Sequence, residues 1–159
     1  TVTGAFDDAA ASLYGNVVVT DNTLRKILRT FPVEDYTVIL VAPSKKAYTS
    51  QVDLKRIKTV AKQVEIAHKE ALTGNYWNAM TLNGLVYSHA LRFPTDIIIE
   101  GIQAGALAAG ISGKGPAVAF VVEEHSKDAV LDVLKESSSQ VIVTRTRNWP
   151  SSSRAIAES

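Results

Sequence analysis

Apolar residues fall along this chain in two kinds of pattern, continuous runs and helical spacings. Residues 36–42 (YTVILVA) are a continuous apolar run, which predicts a buried strand. Leu54, Ile57, Ala61, Val64 and Ala71 then recur at steps that predict one long amphipathic helix, broken by Gly74-Asn75. A second helix follows, with Trp77, Met80, Gly84, Tyr87 and Leu91 on one face. Pro94 interrupts it, and a third helix is expected over residues 95–102. Residues 107–112 and 117–122 read as strands flanking a tight turn, Gly113-Lys114-Gly115-Pro116. Ser126 is placed to cap a helix whose apolar face is Val130, Val133 and Leu134. Residues 140–144 are the last expected strand, and the serine-rich tail from Asn148 is expected to be poorly ordered.

Ahead of residue 36 the pattern is weaker. Residues 1–8 read as a polar loop, and Asp7-Asp8 precede a short helix-favouring run, Ala9 to Leu13, that Gly15 ends. Carboxylates suit the positive end of a helix. Val17-Val18-Val19 predicts a strand, Asp21-Asn22 a turn, and residues 24–28 a second strand of the same hairpin. From residue 36 onward the order is strand, helices, strand, strand, helix, strand. That is the split βαβ, ferredoxin-like arrangement with extra helices in the first crossover, an α+β class.

Composition narrows the function classes. The chain has 159 residues, 46% hydrophobic and 21% charged, close to an average globular domain. The net charge of +1 lacks the basic excess of a nucleic-acid binder. Two short basic clusters, Arg25-Lys26-x-x-Arg29 and Lys55-Arg56-x-Lys58, read as solvated faces. There is no cysteine, so neither a disulfide framework nor a thiolate metal site is available, and a cytoplasmic protein fits. No apolar run reaches the roughly 18 residues of a membrane helix. His68, His89 and His125 lack metal-ligand spacing, and His68 reads as a satisfied structural histidine; no metal ligand is assigned. The chain opens at Thr1 without methionine, as if processed or lacking an upstream part.

Two segments carry candidate chemistry. In Thr3-Gly4-Ala5-Phe6-Asp7-Asp8-Ala9, paired carboxylates beside a glycine loop suit a general base or a metal, or simply a helix start. In Gly110-Ile111-Ser112-Gly113-Lys114-Gly115-Pro116, closely spaced glycines let backbone N–H groups approach an anion, or simply form a bulged hairpin. It is not a Walker loop, because Lys114 is followed by glycine and the glycines lie between strands.

Together, in this order and about a hundred residues apart, the two segments resemble two of the three signatures of the GHMP kinase superfamily. The finer likeness is to archaeal-type shikimate kinases, through Thr3-Gly4-Ala5-Phe6-Asp7-Asp8-Ala9, the loop of residues 43–49 and Gly110-Ile111-Ser112-Gly113-x-Gly115-Pro116. The family's amino-terminal Pro-x-x-x-Gly-x-(Gly/Ser)-Ser-Ser phosphate loop is absent from these residues.

The resemblance implies that residues 1–32 end an amino-terminal kinase domain as loop, helix and hairpin. Residues 33–147 would form the ferredoxin-like carboxy-terminal domain, and 148–159 a tail. It implies ATP-dependent phosphorylation of a small-molecule hydroxyl, with shikimate as acceptor, in aromatic amino-acid biosynthesis. Asp7 takes the position of the residue that orients or deprotonates the acceptor, with Asp8 beside it. Gly110, Ser112, Gly113, Lys114 and Gly115 support the nucleotide phosphates, and Thr3 and Gly4 lie near substrate. Mg²⁺ would be held largely by the missing amino-terminal half. Lys45, Lys46 and Lys114 are the cations considered for the shikimate carboxylate. The implied partners are shikimate, ATP and that missing half, with no nucleic acid and no membrane.

Three rival readings remain. One is another GHMP kinase acting on homoserine or an isoprenoid alcohol. One is a hydrolase using Thr1 as an amino-terminal nucleophile. One is a non-catalytic ferredoxin-like ligand-binding module.

Overall fold

A computed structural model describes residues 6–43, 54–113 and 115–148. The chain divides into two compact units, Thr1–Asp35 with Thr146–Ser159, and Tyr36–Arg145.

In the smaller unit, α1 (Phe6–Tyr14) carries Asp7 and Asp8 in its first turn and buries Ala10. It ends where Gly15 takes a positive φ of 58° and its N–H bonds to the Ala11 carbonyl at 2.9 Å. Strands β1 (Val17–Asp21) and β2 (Lys26–Phe31) pair antiparallel, with an irregularity between Val19 and Thr20. The second strand begins two residues later than the pattern suggested. Asp21 Oδ1 accepts the N–H groups of both Thr23 and Leu24 at 2.9 Å, so these residues are spent in the turn. Leu24, read as a strand residue, therefore sits 71% exposed.

The start of the expected tail is tied down. Asn148 pairs with the Val33 backbone through both its amide atoms, accepting from the N–H at 2.8 Å and donating to the carbonyl at 2.6 Å. Thr146 Oγ1 donates to the Glu34 carbonyl at 2.6 Å.

The larger unit runs β3 (Thr37–Pro43), α2 (Leu54–Thr59), α3 (Ala61–Leu72), α4 (Tyr76–Leu91), α5 (Asp96–Gln103), β4 (Ala108–Ile111), β5 (Val118–Val122), α6 (Lys127–Ser137) and β6 (Ser138–Arg145). The sheet order is β4-β5-β3-β6, and every pair is antiparallel. Counted within this unit, that is strand 2, 3, 1, 4, the order of the split βαβ fold. Register puts Ala109, Phe120 and Ile39 in one row, with Val118, Val41 and Val141 in the next. This face is the core, closed by Ile98 of α5 and Val130, Leu131 and Leu134 of α6. Period-2 alternation follows: Ile39 and Val41 are buried, while Val38 and Leu40 are half-buried.

Three local readings change. The helix expected to run unbroken past residue 60 is two helices. Thr59 Oγ1 donates to the Lys55 carbonyl at 3.0 Å, a back-bond that bends helices. Val60 then leaves helical geometry, with φ −100° and ψ 9°.

On α4 the fully buried positions are Ala79, Gly84, Ser88 and Ala90, not the large residues. Trp77 instead meets Tyr36 and Tyr76 edge-on, at ring distances of 5.8 and 4.7 Å. Thirdly, Ser126 lies in a 3-10 turn, Glu124–Ser126, rather than capping α6 by its side chain. Its Oγ would lie 2.9 Å from a Cβ on Gly105, so it fills the niche that glycine leaves.

One end of the sheet is joined by Glu124. Its carboxylate accepts from Thr37 of β3 at 3.1 Å and meets Lys127 of α6 at 3.3 Å and Arg145 of β6 at 3.5 Å. The hydrogen bond from Lys127, and then that from Thr37, hold the Glu124 carboxyl below its ordinary pKa. A lowered pKa means stability that is present above the ordinary carboxylate range and is lost as pH falls through the lowered value. Glu124→Gln is therefore expected to lower Tm slightly near neutral pH, since the group is exposed and screened. The gap from the parent should close as pH falls below about 4. Thermal melts at stepped pH check this; a gap that does not vary with pH would exclude titration of Glu124 as its cause.

Candidate active site

Asp7 and Asp8 are both exposed, while Phe6 is half-buried and Ala10 buried. Phe6 and Ala10 are one helical turn apart and hold the helix by one side, leaving the carboxylates on the other. Adjacent helical residues do not face each other, so Asp7 and Asp8 address different directions. Thr3 and Gly4 lie outside the described residues, as do Lys45, Lys46 and Lys114 and nearly all of the loop at 43–49.

The glycine-rich segment forms the end of β4 and the turn into β5. Gly110 lies within β4 and is buried; a Cβ there would come 2.9 Å from Met80 Cγ and 3.1 Å from the Met80 carbonyl. Ser112 N–H bonds to the Ala117 carbonyl at 2.8 Å, and Gly115 N–H to the Ser112 carbonyl at 3.0 Å, which closes the turn. Gly113 and Gly115 have φ of 58° and 71°, a region glycine occupies without strain.

The two glycines differ in surroundings. Among the described residues nothing lies within 4 Å of a Cβ on Gly113. A Cβ on Gly115 would sit 2.6 Å from Phe93 Cε2 and 3.0 Å from Ile111 Cγ2. Phe93 thus props the turn from beneath.

Helix α4 holds the other end of this segment. The outward N–H of Ala109, on the sheet's edge strand, donates to Thr81 Oγ1 at 3.2 Å. Thr81 itself donates to the Trp77 carbonyl at 3.2 Å. An edge-strand N–H is thereby satisfied rather than left to recruit another strand. A Cβ on Gly84 would lie 2.8 Å from Gly110 Cα and 2.9 Å from the Ala109 carbonyl, so here two backbones touch. Met80, Thr81 and Phe93 support the hairpin and were missed from sequence. Their contacts are between distant parts of the chain, and only a threonine amid apolar helix positions hinted at one of them.

Among the described residues no group of three or more His, Cys, Asp or Glu could hold a metal ion. Nor is any described helix long and apolar enough to cross a membrane. His125 Nδ1 lies 3.2 Å from Glu123 Oε2 at the surface. The expectation that His68 is satisfied fails: its Nε2 is buried with no hydrogen-bond partner among the described residues. Nothing else in the structure explains that atom.

Residues 68–140 match the family model described as "GHMP kinases C terminal", and that part of the chain belongs to this family. Its curated relatives include archaeal shikimate kinases. It is 41% identical over 147 residues to the shikimate kinase of Methanothermobacter thermautotrophicus, covering 92% of this chain and 51% of that protein. It is 44% identical over 123 residues to that of Methanosarcina acetivorans, covering 77% and 42%. The chain thus spans about half the length of the curated relatives it matches. Among solved structures, the Methanococcus jannaschii mevalonate kinase superposes with a TM-score of 0.56 at 17% identity, over 91% of this chain and 54% of that one. That likeness establishes the fold alone.

Proposed function

We propose that the protein to which this chain belongs transfers the terminal phosphoryl group of ATP to a hydroxyl of shikimate, giving shikimate 3-phosphate. The observation that carries the reading is identity of 41% to an archaeal shikimate kinase across 92% of the chain. Residues 1–32 then end the amino-terminal kinase domain, 33–147 are the carboxy-terminal domain, and 148–159 a tail. The other half of the enzyme, cytoplasmic like this one, supplies the phosphate loop and most of the groups that hold Mg²⁺.

In phosphoryl transfer the protein chiefly positions reactants and neutralises charge. Asp7, exposed in the first turn of α1, accepts the acceptor hydroxyl's proton or holds that hydroxyl in line. Asp8 addresses a neighbouring direction and has the lesser role, and the same reading assigns Thr3 and Gly4 to binding of the acceptor. The turn at Gly113 and Gly115 fits a phosphate-supporting role because its backbone bends through positive φ, with no described residue within 4 Å of a Cβ on Gly113. Gly110 and Ser112 hold its shape, and Lys114 adds positive charge. ATP supplies the phosphoryl group and Mg²⁺ the charge neutralisation when bound.

Steady-state ADP release from the complete protein tests the reading, with shikimate, homoserine and mevalonate offered separately. The expected result is turnover with shikimate well above the other two. Turnover only with another alcohol would keep the family and replace the acceptor. No ATP-dependent turnover with any alcohol would return the chain to a non-catalytic binding module.

A further inference from the structure

Where α1, α3 and α5 end, the chain turns through a positive φ on glycine. Gly15 has φ 58°, Gly74 φ 95° and Gly105 φ 109°. Helix α4 ends differently. Arg92 takes the left-handed conformation, with φ 62° and ψ 32°, and the N–H of Phe93 returns to the Ser88 carbonyl at 2.8 Å. Glycine or asparagine is the usual occupant of such a position, because a Cβ strains it. An arginine there is not selected by the backbone, so its side chain is the part to explain.

Helix capping does not explain it. A cation at a helix C-terminus complements the helix dipole. On α4 that place is already taken by Arg56, whose Nε donates to the Ala90 carbonyl at 2.9 Å and whose Nη2 donates to the His89 carbonyl at 3.0 Å. The arginines of residues 36–145 are Arg56, Arg92 and Arg145. Arg145 is engaged with Glu124. The Arg92 guanidinium is exposed and has no hydrogen-bond or ion-pair partner among the described residues. Its chain neighbour Phe93 is the ring against Gly115, so Arg92 stands one residue from the support of the glycine turn.

We infer that Arg92 is a substrate-binding residue, its guanidinium taking an anionic oxygen group, the acceptor carboxylate or a nucleotide phosphate, beside the glycine turn. The inference rests on the phosphotransferase reading. A planar guanidinium is suited to both groups because it can donate two parallel hydrogen bonds to either. The Arg92 backbone strain is then retained for a charge that glycine could not provide.

The test compares the complete protein with its Arg92→Gly and Arg92→Lys variants. Calorimetric binding of shikimate and of ADP is measured for each, together with turnover and thermal melting. Arg92→Gly is expected to keep or raise Tm, since glycine suits the backbone there. It should weaken binding of one ligand by about 10–100-fold, the usual range for a lost charged hydrogen bond. Arg92→Lys should recover part of that loss. A loss confined to shikimate assigns Arg92 to the acceptor carboxylate, and a loss confined to ADP assigns it to phosphate. Unchanged binding of both ligands in Arg92→Gly overturns the inference, as does a lowered Tm with unchanged binding, which would make Arg92 structural. If the parent protein fails to bind or phosphorylate shikimate, the acceptor reading falls while the ADP comparison still decides Arg92.

Discussion

Asp7→Asn in the complete protein is expected, on the proposed kinase reading, to lower kcat by about 10²–10⁴-fold, the usual worth of a positioned general base. The fold should persist, because Asp7 is exposed and α1 is held through Ala10 on its other side. An amide can still orient a hydroxyl but cannot take its proton, so KM for shikimate should change little. Asp8→Asn should cost less. The two carboxylates lie on neighbouring helical positions and cannot both be aimed at one hydroxyl. Paired steady-state assays, with circular dichroism as a folding control, separate the possibilities. Near-normal kcat in Asp7→Asn with a large loss in Asp8→Asn would exchange their roles. If both variants lose only a little Tm and no activity, the carboxylates serve the positive end of α1 and nothing more.

The second large effect concerns Gly84, a helical glycine that ordinary reasoning would replace. Alanine is favoured over glycine in a helix interior by about 0.8–1 kcal/mol. At this position the added methyl would lie 2.8 Å from Gly110 Cα and 2.9 Å from the Ala109 carbonyl, both backbone atoms. Backbone cannot move aside by a rotamer change, so α4 and β4 must separate. Overpacking of this kind costs about 1–3 kcal/mol, which outweighs the gain in propensity. Gly84→Ala should therefore lower Tm by a few degrees, about 2–4 °C per kcal/mol for a chain of this size. Asn83→Ala is the control, since Asn83 is exposed on the same helix and gains propensity without a clash. Melting of both variants checks the contact. A Gly84→Ala protein as stable as Asn83→Ala would mean that α4 does not approach β4 this closely. Because Ala109 and Gly110 lead into the glycine turn, the strain should also reach that turn.

The larger unit's elements were legible in sequence because their signals are local. The apolar run at residues 36–42, the glycines at 113 and 115 and the proline at 94 each act within a few residues of themselves. The same holds for the candidate residues. Asp7 and Asp8 stand at a helix start and the glycines at a strand turn, where short-range chemistry announces them. Small departures were also local, but competed with the hydrophobic pattern. Asp21 captured Thr23 and Leu24 into a turn, and the Thr59 hydroxyl bent a helix whose apolar spacing was unbroken.

What sequence by itself determined is thus the succession of elements and the α+β class. Only the tertiary structure decided which α4 positions are buried, that Arg56 rather than solvent meets the end of α4, and that Phe93 lies beneath Gly115. The reason is physical. A residue's conformation is set largely by its neighbours in the chain. Its burial is set by how close another element comes, and at Gly84 and Gly110 that distance is fixed by two side chains that are not there.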